Sequence, residues 1–205
     1  MNSPFRSPRL IYRAVEDTQE DDAFMHSIQA DAQAYANSNS TLLRPESRKA
    51  SSKHRCYVAD ETMLGVIICL APTDPHQPTT PPVPIGSISL TNPSPGDEHH
   101  RNSYISVDII AQYQRQGYGS EAINWVLEWG FQMAGLHRIG IESYSWNDGA
   151  GRLYERLGFI QEGRRREALW YHGGWHDIVM YSLLEGEWRA RQAQGLIGGL
   201  SLGNS

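Results

Sequence analysis

Gln114, Arg115, Gln116, Gly117, Tyr118 and Gly119, followed by Ser120, stand between a β-rich stretch ending at Ile110 and a long amphipathic one. That position makes them candidates for anion chemistry. The first turn of a helix presents backbone N–H groups without partners and the positive end of the helix dipole, so a diphosphate held there is stabilised without a lysine. Glycines at 117 and 119 remove the side chains that would keep phosphate oxygens from those amides, and they permit positive φ. On the loop alone, a plain strand-to-helix turn fits equally well. A dinucleotide fingerprint also competes, because residues 117–122 read G-x-G-x-x-A and Glu142 lies near the end of the next strand. In that fingerprint the first glycine follows its strand almost at once, whereas residues 111–116 intervene here. The chain also offers too few β-α-β units after the motif.

Other chemistry-bearing residues carry less. His172 and His176 are four apart, but in a hairpin pattern and without a cysteine or third ligand nearby, so no metal is expected. His99 and His100 fall in a polar loop. Arg164, Arg165 and Arg166 alternate across a strand and read as an exposed sheet face, from which one side chain at most reaches a phosphate. The formal charge of −5 supplies no basic field for nucleic acid. Two cysteines, Cys56 and Cys69, form no CxxC pair and no disulfide framework, which points to a reducing compartment, the cytoplasm. The longest apolar segment, residues 66–71, is too short to span a bilayer, so no membrane partner is expected.

The elements that must position the loop follow from periodicity. Residues 10–15 read as a strand and 18–36 as a helix; 44–52 is ambiguous. Residues 57–60 and 63–70 are β-rich, and strands follow at 85–90 and 104–110. A long helix is predicted from 117 to 134, where Ala122, Ile123, Val126, Leu127, Gly130, Met133 and Ala134 share a face. A strand at 138–145 leads to a short helix at 148–157, with Ala150, Leu153, Tyr154 and Leu157 at helical spacing and Gly158 as its stop. Two strands, 159–171 and 176–184, close the pattern across the turn His172-Gly173-Gly174-Trp175. Consecutive strands before the long helix and alternation after it predict an α+β, or mixed α/β, fold.

With 205 residues, 40% apolar and 20% charged, one domain is expected, spanning 10–190. Residues 1–9 are expected to be a flexible N-terminus and 191–205 a flexible tail. Residues 72–84, with six prolines in thirteen, form an insertion joining two strands.

The motifs together resemble the GCN5-related N-acetyltransferase (GNAT) superfamily, in its ribosomal-protein and polyamine acetyltransferase branch. Gln114, Gly117 and Gly119 match the family loop Q/R-x-x-G-x-G/A. Asn147, Ala150, Leu153, Tyr154, Gly158 and Phe159 match N-x-x-A-x-x-L-Y-x-x-x-G-F, and Glu162-Gly163 with Gly174-Trp175-His176-Asp177 is similar to this branch. The similarity is strongest over residues 104–185, and before Ile85 only the order of elements is compatible. The resemblance implies a mostly antiparallel sheet of six to seven strands, flanked by about four helices and splayed beside the loop-bearing strand. It implies acetyl-CoA as co-substrate, gripped by residues 114–120, with its pantetheine arm along the backbone of Val107, Asp108 and Ile109. Tyr154 then corresponds to the tyrosine that protonates or hydrogen-bonds the leaving sulfur. Glu142 corresponds to the glutamate that deprotonates the amine, and Asn147 to an asparagine at the cofactor, besides being a candidate helix cap.

The implied reaction moves an acetyl group to a primary amine of a protein N-terminus, a polyamine or another small molecule, in a monomer or homodimer. A GNAT-like module that binds acyl-CoA without turnover is the alternative, and the presence of both Tyr154 and Glu142 argues against it.

Overall fold

Alternate residues of one strand, β2 (Thr62–Leu70), feed two separate apolar clusters: Val66 and Ile68 enter one, Ile67 and Cys69 the other. A strand buried on both faces needs helices on both sides of its sheet. The computed structural model, which describes residues 3–72 and 81–195, has them. Its strands are β1 (Leu10–Ala14), β2, β3 (Val83–Thr91), β4 (Asn102–Ile109), β5 (Arg138–Tyr144), β6 (Ile160–Tyr171) and β7 (Gly174–Leu184). They form one sheet in the order β1-β2-β3-β4-β5-β7-β6.

On one face lie α4 (Tyr118–Glu128), α5 (Asp148–Leu157) and α6 (Glu185–Ala193), contributing Ile123, Leu127, Leu157 and Trp188 to the larger cluster. On the other lie α1 (Gln19–Gln29), α2 (Ala32–Ser38) and α3 (Arg48–Cys56), with Met25 and Ile28 of α1 buried against Ile67 and Cys69. The fold is mixed α/β with a mostly antiparallel sheet, as the resemblance implied, and it carries six α-helices among the described residues rather than about four.

The one parallel pairing positions the site. β4 pairs with β5 only from Asn102 opposite Arg138 to Tyr104 opposite Gly140. There a side chain on β5 would collide with the Tyr104 ring, since a Cβ at Gly140 would lie 2.5 Å from it. Beyond that point β5 stays with β7 as far as Tyr144 opposite Ile178, while β4 stays with β3 as far as Ile109 opposite Gly86. The two strands diverge, and the sheet opens between residues 105–109 and 141–144.

Several elements differ from expectation. The helix expected over 18–36 is two helices, because the Asp31 carboxylate caps a new start by accepting from the Gln33 and Ala34 amides, each at 3.0 Å. Residues 57–60 form a π-helical turn rather than a strand, and the ambiguous 44–52 region leads into α3 behind its Ser47 cap. The long helix ends its α-helical part at Glu128 and finishes as a π-turn, Trp129–Met133. The last helix, α6, was not expected; it runs past the 190 boundary to Ala193 and buries Trp188.

The N-terminal residues from Ser3 onward are not loose. The Pro4 carbonyl accepts from Trp125 Nε1 at 2.9 Å and the Phe5 carbonyl from the Tyr12 amide at 3.0 Å. Of the proline-rich segment, Val83 and Pro84 belong to β3, and residues 73–80 lie outside the described residues, as do 196–205 of the tail. Among the described residues no helix is long and apolar enough to cross a membrane.

Candidate active site

The chain leaves β4 at Ile109, makes a helical turn at Ala111–Tyr113, and reaches α4 through residues 114–117. Two glutamines brace this passage from within: Gln114 Nε2 donates to the Ile109 carbonyl at 2.8 Å, and Gln116 Nε2 to the Gln112 carbonyl at 2.9 Å. Gly117 is the N-cap of α4 at φ 86°, and no side chain caps the helix. Gly119 does not use its conformational freedom; it keeps the first turn bare, the nearest atom to an added Cβ being 3.9 Å away on Ile109. Among the described residues, no hydrogen bond uses the amides of residues 115–120. An uncapped, dipole-aligned set of amides is what a diphosphate requires.

A clasp from the N-terminal segment holds this turn, and nothing local in the sequence signals it. Arg9 Nε donates to Glu121 Oε2 at 2.7 Å, its Nη1 donates to the Gln116 carbonyl at 3.0 Å, and its guanidinium lies 4.5 Å from the centre of the Tyr118 ring. Glu121 also accepts from the Arg9 amide at 2.8 Å and the Ser7 hydroxyl at 2.7 Å. Glu121 suits a helix N-terminus but has the wrong sign beside a bound anion. Arg9 cancels that charge.

From the loop a cavity of about 1330 Å³ runs through the sheet opening. Of the residues singled out in the sequence, Val107, Asp108, Ile109, Gln114, Arg115, Gly117, Gly119, Ser120, Glu142, Asn147 and Tyr154 line it. Gln116 and Tyr118 do not; their side chains are engaged by Gln112 and Arg9 instead. None of Arg164, Arg165 and Arg166 lines it either. Arg164 pairs with Asp177 at 3.1 Å and Arg165 with Glu142. Arg152 and Arg156, one turn apart on α5, join Arg115 as cations on the cavity wall.

Strand parity sorts the remaining groups between the two faces. Val107 and Ile109 pack toward the α4 cluster, so Asp108 points to the opposite face, where it shares the cavity wall with Ser38 at the end of α2. Ile139 and Ile141 likewise turn Glu142 and Tyr144 to the α2 side. Tyr154 comes from α5 on the other face, buried between Phe159 and Tyr181 at centroid distances of 6.0 and 5.7 Å. The opening is where groups from the two faces meet.

Burial, reinforced by the Asp108 charge, pushes the Tyr154 phenol well above its ordinary value. Desolvation also raises the half-buried Asp108 carboxyl, with the nearby Ser38 hydroxyl a smaller opposing effect. Asn147 does cap α5, accepting from the Ala150 amide at 3.3 Å while its Nδ2 donates to the Asn37 carbonyl at 3.5 Å. The far end of the cavity is aromatic: Trp146 stacks on Tyr171 at 4.5 Å and meets Tyr144 at 4.9 Å, with His172 beside them. Trp146 and the α2 residues Gln33, Asn37 and Ser38 went unrecognised in the sequence, because only the tertiary fold brings them to the opening.

The chain matches the acetyltransferase (GNAT) domain family over residues 9–160. A putative ribosomal N-acetyltransferase of Bacillus subtilis is 32% identical over 107 residues, 52% of this chain and 57% of that protein. The spermidine N(1)-acetyltransferase of Vibrio cholerae is 28% identical over 92 residues, 45% of this chain and 53% of that protein. The chain thus spans about half the length of the curated relatives it matches. Among solved structures, spermidine N-acetyltransferase from Vibrio cholerae in complex with CoA and spermine superposes with a TM-score of 0.73 at 21% identity, over 89% of this chain and 99% of that one, and so shares its fold.

Proposed function

Because the chain belongs to the GNAT acetyltransferase family, whose domain it matches over residues 9–160, we propose that it moves an acetyl group from acetyl-CoA to a primary amine. The observation that carries this reading is the opening between β4 and β5, with an uncapped helix start at one end and Tyr154 at its floor. Acetyl-CoA supplies an acyl group already activated, as a thioester, toward amines.

The amides of residues 115–120 hold the diphosphate, with Arg115, Arg152 and Arg156 as nearby countercharges. Val107, Asp108 and Ile109, without a β5 neighbour, keep backbone groups free on that side for the amides of the pantetheine arm. Asn147 lines the same passage. Tyr154 stays protonated because burial raises it, so it serves the departing sulfur as a hydrogen-bond donor. Glu142 stands on the α2 side of the opening, where its carboxylate draws an ammonium group in.

The acceptor is a protein N-terminus, a polyamine or another small amine, entering from the α2 side past Trp146 and Tyr171. Cys56 and Cys69 as free thiols fit a cytoplasmic enzyme, monomeric or homodimeric.

Thiol release from acetyl-CoA, measured against an alanine-initiated peptide, spermidine and simple monoamines, tests this. At least one acceptor is expected to raise the rate about tenfold or more over buffer. Tight CoA binding without release on any amine points instead to a binding module. Failure to bind CoA at all removes the reading.

A further inference from the structure

We propose that Asp108, rather than Glu142, takes the proton from the acceptor's ammonium group. The proposal rests on the acetyl-transfer reading above. Asp108 sits in the divergent part of β4, opposite Ser87 on β3 and with no residue of β5 across from it. Strand alternation turns its side chain to the α2 face, the side from which an acceptor enters, and it lines the cavity there. Tyr154, approaching from the other face, is close enough to feel its charge. The carboxyl is therefore at the crossing point between the amine's side of the sheet and the thioester's side.

Glu142 is worse placed. It lies on β5 with its carboxylate engaged by the Arg165 guanidinium, and Arg165 itself is on the exposed edge strand β6. Glu142 Oε1 accepts from that guanidinium, on the side of the opening away from Tyr154. Among the described residues, the charged and titratable groups around Asp108 are Tyr154 on α5, Tyr144 and Glu142 on β5, and Arg165 behind Glu142; the Ser38 hydroxyl of α2 lies on its side of the opening and donates to the Ala34 carbonyl. None of these is a cation in contact with Asp108. Desolvation without a countercharge makes this half-buried carboxyl a stronger base than a fully exposed one, which is the direction general-base catalysis needs.

In the step itself, one N–H bond of the ammonium breaks and an O–H bond forms on Asp108. The freed nitrogen lone pair makes the new N–C bond to the acyl carbon as the C–S bond breaks. The amine's second proton ends on the sulfur, which Tyr154 holds by its hydrogen bond. Asp108 then returns its proton to water in the cavity.

The test is the pH dependence of kcat/KM for the wild type, Asp108→Asn and Glu142→Gln, with CoA affinity by calorimetry and thermal melting on each. If an ammonium binds to an ionised Asp108, the wild type gives a bell whose acid limb belongs to Asp108 and lies above the ordinary carboxylate range. Its basic limb follows the pKa of whichever amine is used. Asp108→Asn is expected to lose about 10²–10⁴-fold, to lose the acid limb, and to rise with pH until the amine is neutral. Its CoA affinity should stay within about twofold and its melting temperature should not fall, since a desolvated carboxyl without a cation adds no stability. Glu142→Gln is expected to lower the rate by about tenfold or less and to keep the bell. A normal bell in Asp108→Asn, or its loss in Glu142→Gln alone, overturns the assignment while leaving acetyl transfer intact. A wild type that acetylates no amine overturns both.

Discussion

Replacing Arg9 with alanine perturbs CoA binding without touching a residue that lines the cavity. The variant loses the Nε bond to Glu121 and the Nη1 bond to the Gln116 carbonyl, along with the stack on Tyr118, but it keeps the backbone N–H bond from residue 9 to Glu121. Arg9 is half exposed, so its direct contribution to folding is modest, about 1–2 kcal/mol. The larger effect is electrostatic. Without Arg9 the Glu121 carboxylate, in the first turn of α4, faces the bound diphosphate uncompensated. At ~8 Å and an effective dielectric of ~40–80, each unit of diphosphate charge costs about 0.5–1 kcal/mol. For two units that is about 1–2 kcal/mol, a five- to thirtyfold rise in Kd, roughly. Calorimetric titration with CoA at low salt measures it, and ~0.5 M salt should shrink the difference. Adding Glu121→Gln to Arg9→Ala should recover at least half of the lost affinity. If the folded Arg9→Ala protein binds CoA as the wild type does, or the double variant binds as weakly as the single, the charge argument is wrong.

Tyr154→Phe should lower kcat by about 10–100-fold with CoA affinity within about twofold, read by thiol release and calorimetry, because it removes only the hydroxyl that serves the leaving sulfur. Gly158→Ala should destabilise the fold by at least about 1 kcal/mol in urea unfolding, since residue 158 sits at φ 99° and its Cβ would meet Arg191 Nε at 2.4 Å. Asp21→Asn should cost about 2–3 kcal/mol at neutral pH. Burial works to raise the Asp21 carboxyl, but hydrogen bonds from Arg13 at 2.8 and 2.6 Å and from the Glu16 amide at 2.8 Å, together with Arg13's charge, hold it below its ordinary value. Its stabilisation is therefore present above about pH 4 and lost as pH falls through the lower folded value, so the gap between variant and wild type should close in acid.

What the sequence made legible was local. Asn147 and Gly158 bracket α5, whose bounds match the expectation, because both signals act within a turn of the residues they stop. The glycine-bearing start of α4 at Gly117 was legible for the same reason. Residues 57–60 misled, since their β-forming side chains say nothing of the close approach at Gly65, where an added Cβ would lie 1.9 Å from the Val58 carbonyl oxygen. The clasp was invisible: Arg9 and Glu121 are 112 residues apart, and each alone reads as a solvated charge. The faces of Asp108 and Glu142 were equally hidden, because parity within a strand is known only once its neighbours fix which side is core. Asp31 was the avoidable miss, a helix-capping residue in the middle of a stretch read as one helix.

A crystal structure of the complex with CoA tests the central claim most directly. Diphosphate oxygens are expected within hydrogen-bond reach of the amides at the start of α4, and the pantetheine arm in the opening beside residues 107–109, its sulfur next to the Tyr154 hydroxyl. CoA bound elsewhere, or an opening closed by β4 and β5 pairing along their whole length, would contradict it.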